Sequence, residues 1–332
     1  MNIYQNKYHT QNLNKLSFLI TGGAGFIGSN IVEYLIKHNA GYVRVLDNLS
    51  NGSITNIEKF KKLENFEFIE GDINDYDTCL KAVNEINFVS HQAALGSVPR
   101  SISNPIKTNE ANITGFLNII DCARKSKSLL RFVYAASSSS YGDSKTLPKV
   151  EGYEGKPLSP YAVTKFVNEL YAEVYSKVYN FNSIGLRYFN VFGPNQSYNN
   201  PYAAVIPIFC HAFISGNTPT IYGDGETSRD FTFVENAVQA NIRSFFVEKL
   251  DKHEVFNVAC GDQISLNNLV EELQLISKKN IKPIYSNERI GDIKHSKASI
   301  KKIQNKLGFN PNFNFKTGLN QVYKWYESNK LF

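Results

Sequence analysis

Cysteine is scarce in this chain, and its four copies are scattered. Cys79, Cys122, Cys210 and Cys260 lie far apart among 332 residues, and no two of them form a CxxC pair. That spacing disfavours both a disulfide framework and a zinc site. We therefore expect no metal centre, and we expect a reduced protein of the cytoplasm.

Long apolar runs are also missing. No stretch approaches the run of roughly 18 apolar residues that a transmembrane helix requires, so we expect no membrane partner. Residues 1–16 contain no apolar core of the kind found in secretory signals. We expect them to form a polar arm or a short surface helix ahead of the first strand.

Positive charge is present only in small excess. The net charge is +6, and the lysines are spread along the chain. A nucleic-acid-binding surface concentrates its positive charge on one face, so this pattern disfavours nucleic acid as a partner. A mildly basic surface suits an anionic small substrate.

The first half of the chain alternates short apolar runs with helical patterns. The spacing predicts strands at 16–20, 42–46, 66–69, 88–94, 131–136 and 183–189, and helices at 26–38, 105–125 and 160–179. Strands separated by helices form βαβ units, so we expect an α/β fold of Rossmann type with a doubly wound parallel sheet. Such sheets bind ligands at the carboxyl ends of their strands.

The second half is less regular. Strands are predicted at 220–222, 230–233 and 255–258, and helices at 234–247, 266–278, 299–307 and 315–329, with Ser265 capping the second of these helices. We expect residues 1–190 and about 231–260 to form the Rossmann domain. Residues from about 191–230 and 261–332 are expected to form a smaller mixed α/β lobe that binds substrate.

The first predicted strand leads directly into the sequence TGGAGFIGSN. Gly22, Gly25 and Gly28 have the spacing that permits a tight turn, close approach of a pyrophosphate to the backbone, and close packing of helix on strand. The N-terminus of the following helix offers free N–H groups to phosphates. Asp47 ends the second predicted strand, where a carboxylate accepts hydrogen bonds from ribose hydroxyls and repels a 2′-phosphate. The pattern therefore predicts that the Rossmann domain binds NAD rather than NADP.

Further cofactor contacts are predicted around this motif and at the ends of the next two strands. They are Phe26, Ile27, Asn48, Asp72, Ile73, Gln92 and Ala93. Asp72 is placed to contact adenine, and the small residues of the HQAAL segment let a cofactor lie close to the fourth strand. His91 in that segment is interpreted as a structural histidine of the core.

Tyr161 and Lys165 are four residues apart in the helix predicted at 160–179. Positions i and i+4 share a helix face, so the positive charge of the lysine can lower the pKa of the phenol. A tyrosinate can take a proton from a substrate hydroxyl while a hydride passes to NAD. The pair follows both a glycine motif and a serine run at 137–140, and this order predicts an oxidoreductase-type active site.

Together, TGGAGFIG, the serine run, YAVTK and LRYFNVFGP resemble the extended short-chain dehydrogenase/reductase superfamily, whose members act mostly on nucleotide sugars. AAVIP at 203–207, IYGDGETSRDF at 221–231 and RIGD at 289–292 fit the same superfamily. Within it, GSVPRS at 96–101 and AASSSSYGD at 135–143 resemble the UDP-N-acetylglucosamine 4-epimerases of bacterial polysaccharide biosynthesis. The resemblance covers nearly the whole chain from residue 16.

The resemblance implies that one serine binds the sugar's 4-hydroxyl beside the catalytic Tyr161 and Lys165. In many members this residue stands four places before the Tyr of a Tyr-Gly pair, which is Ser137 here. Ser138 and Ser139 are close enough in the chain to exchange roles with it. Related dehydratases carry Thr-Asp-Glu in this segment, and Ser138 and Ser139 replace that acidic pair. Hydroxyls cannot do its acid and base work at neutral pH, so dehydration is disfavoured.

The resemblance also implies a site that holds UDP while a 4-keto sugar turns, with Tyr188 beside the nicotinamide. The implied substrate contacts are Ser97, Ser139, Asn190, Ala204, Val205, Tyr222, Arg229, Arg289, Asp292 and Ser296. The two arginines would clamp the diphosphate, because a guanidinium fork suits phosphate oxygens. Ser296 stands where galactose-type epimerases carry a bulky tyrosine near the sugar's C2 group, and a small residue there leaves space for an N-acetyl group.

The implied function is reversible C4 epimerisation of a UDP-N-acetylhexosamine, from UDP-GlcNAc to UDP-GalNAc, with tightly bound NAD. The alternatives are an epimerase for UDP-Glc and UDP-Gal or for a UDP-hexuronic acid, an NDP-sugar reductase, and a non-catalytic NAD-binding protein. Proteins of the last kind typically lack the Tyr/Lys pair. The helices at 105–125 and 160–179 resemble those that join two subunits through a four-helix bundle, so a homodimer is expected.

Overall fold

The computed structural model describes residues 3–199, 202–288 and 294–329, and its centre is a seven-stranded parallel sheet. The strands are β1 (Ser17–Thr21), β2 (Tyr42–Asp47), β3 (Phe66–Glu70), β4 (Phe88–His91), β5 (Arg131–Ser137), β6 (Ser183–Tyr188), β7 (Val191–Phe192), β8 (Thr220–Tyr222), β9 (Ser228–Arg229), β10 (Thr232–Phe233), β11 (Glu254–Val258), β12 (Ile264–Ser265) and β13 (Ile284–Ser286). The sheet has the order β11-β6-β5-β4-β1-β2-β3, with all neighbours parallel. This confirms the predicted Rossmann-type α/β fold.

Helices cover both faces of the sheet. They are α1 (Phe26–Lys37), α2 (Tyr76–Val83), α3 (Val98–Ser103), α4 (Pro105–Asn109), α5 (Gly115–Lys125), α6 (Pro160–Tyr179), α7 (Val205–Ser215), α8 (Val234–Phe245), α9 (Leu266–Ser277), α10 (Lys301–Leu307) and α11 (Phe315–Ser328). One apolar cluster packs α1 and α8 against the sheet, and a second cluster packs α2 and α5. The central strands β4 and β6 are buried on both sides, as expected of a parallel sheet between two helical layers.

The four central strands bring their carboxyl ends to one edge of the sheet. Thr21 of β1 pairs with His91 of β4, and Ser137 of β5 pairs with Tyr188 of β6. The glycine loop after β1, the segment after β4 and the serine run after β5 therefore leave the sheet side by side. This is the edge at which open α/β sheets bind their ligands.

The division into a Rossmann domain and a smaller lobe stays a prediction. β11 pairs with β6 along its full length, and α8 packs against α1, so both elements adjoin the first half of the chain. Three two-stranded pairings, β7 with β10, β8 with β13 and β9 with β12, lie outside the large sheet.

Two predicted boundaries are wrong. The strand predicted at 88–94 ends at His91, and the amide of Leu95 bonds instead to the side chain of Asn112, at 2.8 Å. The helix predicted at 105–125 is interrupted by a π-helical turn at Glu110–Thr114. That turn carries Asn112 inward, where its Nδ2 also donates to Thr164 Oγ1 at 3.0 Å. Tertiary hydrogen bonds therefore override the local helical pattern at this point.

The sequence pattern also misses three helices, α2, α3 and α7. α3 has only six residues. α2 has only eight residues and begins at the cap residue Asp75, whose side chain accepts a bond from the amide of Asp77. α7 has the sequence VIPIFCHAFIS, which is apolar on nearly every face. A helix without a polar face lacks the periodic stripe by which amphipathic helices are recognised.

The N-terminal segment, residues 3–13, is neither a polar arm nor a surface helix, so that prediction is wrong. Tyr4 and Tyr8 are buried. The Tyr8 ring stacks on Tyr34 of α1 with 5.6 Å between ring centroids, and its hydroxyl donates to Glu235 of α8 at 2.9 Å. Tyrosine buries its ring and bonds its hydroxyl at the same time, so a segment of polar composition can still pack as core.

Across the described ranges, no helix has both the length and the apolar character that a membrane crossing needs. All four cysteines are free thiols. In the same ranges, no group of three or more His, Cys, Asp or Glu side chains is arranged to hold a metal ion.

Candidate active site

A cavity of about 490 Å³ opens at the carboxyl edge of the sheet. All the predicted cofactor contacts line it, together with three other predicted site residues. These residues are Gly22, Gly25, Phe26, Ile27, Gly28, Asp47, Asn48, Asp72, Ile73, Gln92, Ala93, Tyr161, Lys165 and Tyr188, with Ser137, Ser138 and Asn190. The fold therefore gathers the residues of the predicted cofactor site and of the predicted catalytic group around one space.

The loop between β1 and α1 packs so tightly that side chains do not fit in it. Gly22 has a φ of +67°, and a Cβ on it would lie 2.6 Å from the backbone nitrogen of Ala93. A Cβ on Gly28 would lie 2.2 Å from the carbonyl oxygen of Gly22. No side chain caps the N-terminus of α1, so the N–H groups of its first turn remain available to an anion. This cradle fits the pyrophosphate of NAD.

Asp47 holds the glycine loop from the end of β2. Its Oδ2 accepts a bond from the amide of Ala24 and its Oδ1 accepts one from the amide of Leu49, both at 2.9 Å. Burial raises the pKa of this carboxyl, and the amide hydrogen bonds oppose the rise. Next to it, Asn48 donates to Asp72 at 2.8 Å. The two carboxylates thus stand at the side of the cavity where the adenosine ribose is expected.

A second set of polar contacts fixes the other side of the cavity. The Tyr188 hydroxyl accepts a bond from Asn241 of α8 at 2.7 Å, and Gln92 donates to the Asn241 side-chain oxygen at 3.2 Å. His91 is buried and bonded to the Thr21 hydroxyl, and burial lowers its pKa to about 3. A neutral histidine with a core partner fits the structural interpretation of His91.

Gln196 is a lining residue that the sequence pattern does not single out. Its Nε2 donates to the carbonyl of Val191. Its Oε1 is buried, and no described residue donates to it. A buried acceptor without a partner is costly unless a ligand supplies the donor. Together with the glycine cradle and Asp47, this orphaned oxygen fits a cavity that holds a nucleotide cofactor.

Tyr161 and Lys165 project from α6 towards the end of β5. The Lys165 ammonium donates to the Ala135 carbonyl at 2.8 Å, and burial lowers the pKa of Lys165 to about 8. Burial also raises the pKa of Tyr161, and a hydrogen bond with Ser137 opposes that rise. In this arrangement the hydroxyl of Ser137 lowers the phenol's pKa, whereas the lysine is engaged with the β5 backbone.

The four serines after Ala136 do not share one environment. Ser137 ends β5, and its Oγ accepts bonds from the amide and the hydroxyl of Ser139, at 3.2 and 2.9 Å. The chain then makes a 3₁₀ turn over Ser138–Tyr141. Ser138 lines the cavity, while Ser140 is buried and donates to Glu169 of α6 at 3.3 Å. Of the four hydroxyls, that of Ser137 is the one that opposes the rise in the pKa of Tyr161.

The predicted substrate contacts are more dispersed. Asn190 lines the main cavity and donates to the Asp230 carbonyl at 3.0 Å. Ala204 lines an adjoining cavity of about 390 Å³, and Val205 begins α7 directly after it. Ser97 lines neither cavity; it caps α3, and its Oγ accepts a bond from the amide of Arg100 at 3.2 Å. Ser139 bonds to Ser137 and also lines neither cavity.

A further group of predicted substrate contacts lies on β8, β9 and the segment that follows residue 293. Arg229 donates to the carbonyls of Ser228 and Lys294, at 2.9 and 3.3 Å. The amide of Ser296 donates to the Ser228 carbonyl at 3.1 Å, so Ser296 runs beside β9. Tyr222 of β8 is exposed. Arg289 and Asp292 lie outside the described residues.

Comparison with known proteins gives consistent matches. The profile of the NAD dependent epimerase/dehydratase family matches residues 18–259. A UDP-N-acetylglucosamine 4-epimerase from Methanobrevibacter ruminantium M1, solved with UDP-N-acetylmuramic acid, is 38% identical with a TM-score of 0.89, covering 95% of this chain and 99% of its own. A UDP-glucose 4-epimerase from Thermotoga maritima, solved with UDP-glucose, is 32% identical with a TM-score of 0.88, covering 95% and 100%. A UDP-glucuronate 4-epimerase from Thermodesulfobacterium geofontis is 32% identical over 321 residues, covering 94% of this chain and 96% of that protein.

Proposed function

We propose that this chain interconverts UDP-GlcNAc and UDP-GalNAc. The chain belongs to the NAD dependent epimerase/dehydratase family and is an NAD-dependent UDP-sugar 4-epimerase. The observation that carries the proposal is the meeting of Tyr161, Ser137 and Lys165 at the end of β5, inside the cavity whose opposite side is the glycine cradle. Held by the glycine cradle and Asp47, NAD would supply reversible hydride transfer at C4 of the sugar.

The protein's own residues handle the proton. Tyr161 takes the proton of the sugar's 4-hydroxyl and later gives it back. The Ser137 hydroxyl stabilises the phenolate by hydrogen bonding. Lys165 keeps a positive charge near the phenolate while its ammonium is held by the Ala135 carbonyl. Asn190, at the mouth of the same cavity, is positioned to contact the substrate phosphates.

The carboxylates of the cavity support epimerisation rather than dehydration. Among the described residues that line it, the acidic ones are Asp47 and Asp72. Both lie at the ends of β2 and β3, by the predicted adenosine side, whereas the sugar has to reach Tyr161. Ser138 and Ser139 stand where a dehydratase needs an acidic pair. The active site thus holds a group for oxidising C4 and no carboxylate for expelling water.

The N-acetyl preference rests on Ser296. Its backbone bond to the Ser228 carbonyl places it beside Arg229, which is proposed to bind the diphosphate. A serine in this position leaves room for a C2 substituent that a tyrosine would fill. The 38% identical relative named for UDP-N-acetylglucosamine is consistent with this choice. Epimerases for UDP-Glc or a UDP-hexuronic acid are the alternatives.

The test compares UDP-GlcNAc and UDP-Glc as separate substrates of the wild-type enzyme and of Ser296→Tyr. We expect wild type to convert UDP-GlcNAc with the higher kcat/KM, and Ser296→Tyr to lose at least about tenfold on UDP-GlcNAc because its ring occupies the acetyl space. Activity on UDP-Glc should be retained in the variant, which controls for folding. Preferential conversion of UDP-Glc by wild type would refute the N-acetyl assignment.

The assembly proposed is a homodimer formed through α6. On its outer face α6 exposes an apolar stripe, made of Val163, Leu170, Val174 and Val178. Ile102 and Ile106, on α3 and α4 next to α6, are exposed as well. Apolar side chains repeated at helical spacing on an outer face are typical of helix–helix interfaces.

A further inference from the structure

Glu169 is a buried carboxylate on the face of α6 that carries the proposed catalytic pair. It follows Lys165 by four residues and Tyr161 by eight, so the three side chains lie one above the other on the helix. The side chain of Glu169 is only 6% exposed. A buried charge is costly unless it is paired, and so its partners show what it does in the fold.

The main partner of Glu169 is Arg187 of β6. The guanidinium holds the carboxylate with two bonds, Nε to Oε1 at 2.9 Å and Nη2 to Oε2 at 2.5 Å. Its remaining Nη1 pairs with Glu154. Arg187 is itself buried, and it lies beside Ala136 in the register of β5 and β6. This bidentate pair therefore ties α6 to the strand next to the serine run.

The same carboxylate holds the turn that follows Ser137. Ser140 donates to Glu169 Oε1 at 3.3 Å, and the ring of Tyr141 lies over the Arg187 guanidinium at 4.8 Å. The Tyr141 hydroxyl in turn bonds to Asn257 at 2.7 Å. The turn Ser138–Tyr141 is thus anchored to α6 through the Glu169–Arg187 pair, although the residues that face the cavity are Ser137 and Ser138.

We propose that Glu169 is a positioning residue for the epimerase reaction: with Arg187 it fixes the serine turn against α6, so that Ser137 meets Tyr161, and its negative charge favours the protonated form of Lys165. This rests on the function proposed above. Nothing in it requires Glu169 to touch the substrate.

The charge of Glu169 acts on the pKa of Lys165 in a definite direction. Burial lowers the pKa of Lys165, and the charge of Glu169 is what opposes that shift. The ionisable groups that face Lys165 and Glu169 from the packed elements are His91 on β4, Tyr134 on β5, Tyr141 on the serine turn, Arg187 on β6 and Glu154 on the loop before α6. Loss of the Glu169 charge removes the group that opposes the effect of burial on Lys165, and it leaves the Arg187 guanidinium without its bidentate partner.

The test is the pH dependence of kcat in Glu169→Gln. With less negative charge nearby, the ammonium of Lys165 loses its proton at lower pH. The limb of the kcat profile that reports Lys165 should therefore move towards acid by about one pH unit. Bound NAD and the KM for the UDP-sugar should stay near their wild-type values. A purely structural role would lower kcat at every pH without moving the profile.

Two matched variants distinguish the effect of the Glu169 charge on the pH profile from its effect on the position of the serine turn. Glu169→Gln/Arg187→Met removes one charge of each sign, so its profile should return to the wild-type position while kcat stays low. Ser140→Ala removes the anchor of the turn without changing any charge, and it should lower kcat with no displacement of the profile.

A Glu169→Gln profile that superimposes on that of wild type after scaling would overturn the proposal. If Glu169→Gln fails to fold, wild-type kcat in both other variants would overturn it, and reduced kcat with NAD still bound would support it. A wild-type protein that epimerises no UDP-sugar would instead defeat the proposed function, independently of Glu169.

Discussion

At Tyr161, burial and hydrogen bonding act on the phenol in opposite directions. Burial raises its pKa, and the bond with Ser137 opposes the rise. Lys165 has its pKa lowered to about 8 by burial, so its positive charge begins to be lost at mildly alkaline pH. A step that needs a phenolate beside an ammonium is therefore sensitive to pH, and the Ser137 hydroxyl favours the phenolate.

Replacing Ser137 tests which serine acts. Ser137→Ala removes the hydroxyl that favours the phenolate, so kcat should fall by about 10²-fold and the acid limb of the kcat profile should move to higher pH. Ser137→Thr keeps a hydroxyl and should recover much of the rate. Ser139→Ala, in which Ser137 still bonds to Tyr161, should lose far less. A larger loss in Ser139→Ala than in Ser137→Ala would assign the role to the other serine.

The site residues that can be predicted from the sequence are those that lie close together in the chain. Gly22, Gly25 and Gly28 share a short loop and Tyr161 and Lys165 share a helix turn, so their proximity follows from secondary structure alone. Gln196 reaches the cavity from a loop, and Asn241 of α8 bonds to the lining residue Tyr188, only through tertiary packing. No local pattern marks such residues. The role of Ser140 as an anchor is likewise visible only once α6 lies beside the turn.

At the level of elements, the N-terminal segment connects α1 to α8 through side-chain contacts. Besides the contacts of Tyr8, Tyr4 bonds to Asn30 of α1, and Asn30 donates to the Pro194 carbonyl at 3.0 Å. The sequence does not predict this packing because the segment has no apolar run, and its burial depends on tyrosines whose hydroxyls find partners on two helices. By contrast, most strands of the large sheet and α6 are predicted well, since their apolar pattern is continuous.

Removing one hydroxyl from this segment should destabilise the fold. Tyr8→Phe leaves the buried Glu235 without the donor to its Oε1, and its Oε2 has no partner among the described residues. We expect a loss of about 1–3 kcal/mol in the free energy of unfolding, measured with denaturant. Tyr153→Phe alters an exposed tyrosine and should cost less than about 0.5 kcal/mol. Equal stabilities for the two variants would contradict the stabilising role of the contacts between the N-terminal segment and α8.

At the scale of the whole molecule, α6 has two functional faces. One face carries Tyr161, Lys165 and Glu169 towards the sheet, and the other exposes the apolar stripe. A partner subunit on that stripe would bury it and would brace the helix that holds the proposed catalytic pair. The proposed dimerisation and the geometry of the site would therefore be linked through one helix.

A single charge in the stripe should prevent association. Val174→Lys places an ammonium at the centre of the proposed interface, where its desolvation is unfavourable. Sedimentation velocity at micromolar concentration should show a dimer for wild type and a monomer for the variant. Leu275→Lys, at a more exposed apolar residue on α9, should remain dimeric. A monomeric wild type, or an undisturbed Val174→Lys dimer, would contradict the proposed assembly.

The central claim is that the chain epimerises C4 of a UDP-N-acetylhexosamine with its own bound NAD. The most direct measurement is NMR of UDP-GlcNAc incubated with the purified protein in D₂O without added NAD, with Tyr161→Phe as the control. We predict that UDP-GalNAc accumulates to equilibrium with hydrogen, not deuterium, at C4, and that Tyr161→Phe binds NAD but forms no product. Absence of UDP-GalNAc with wild type, or deuterium at its C4, would contradict the account.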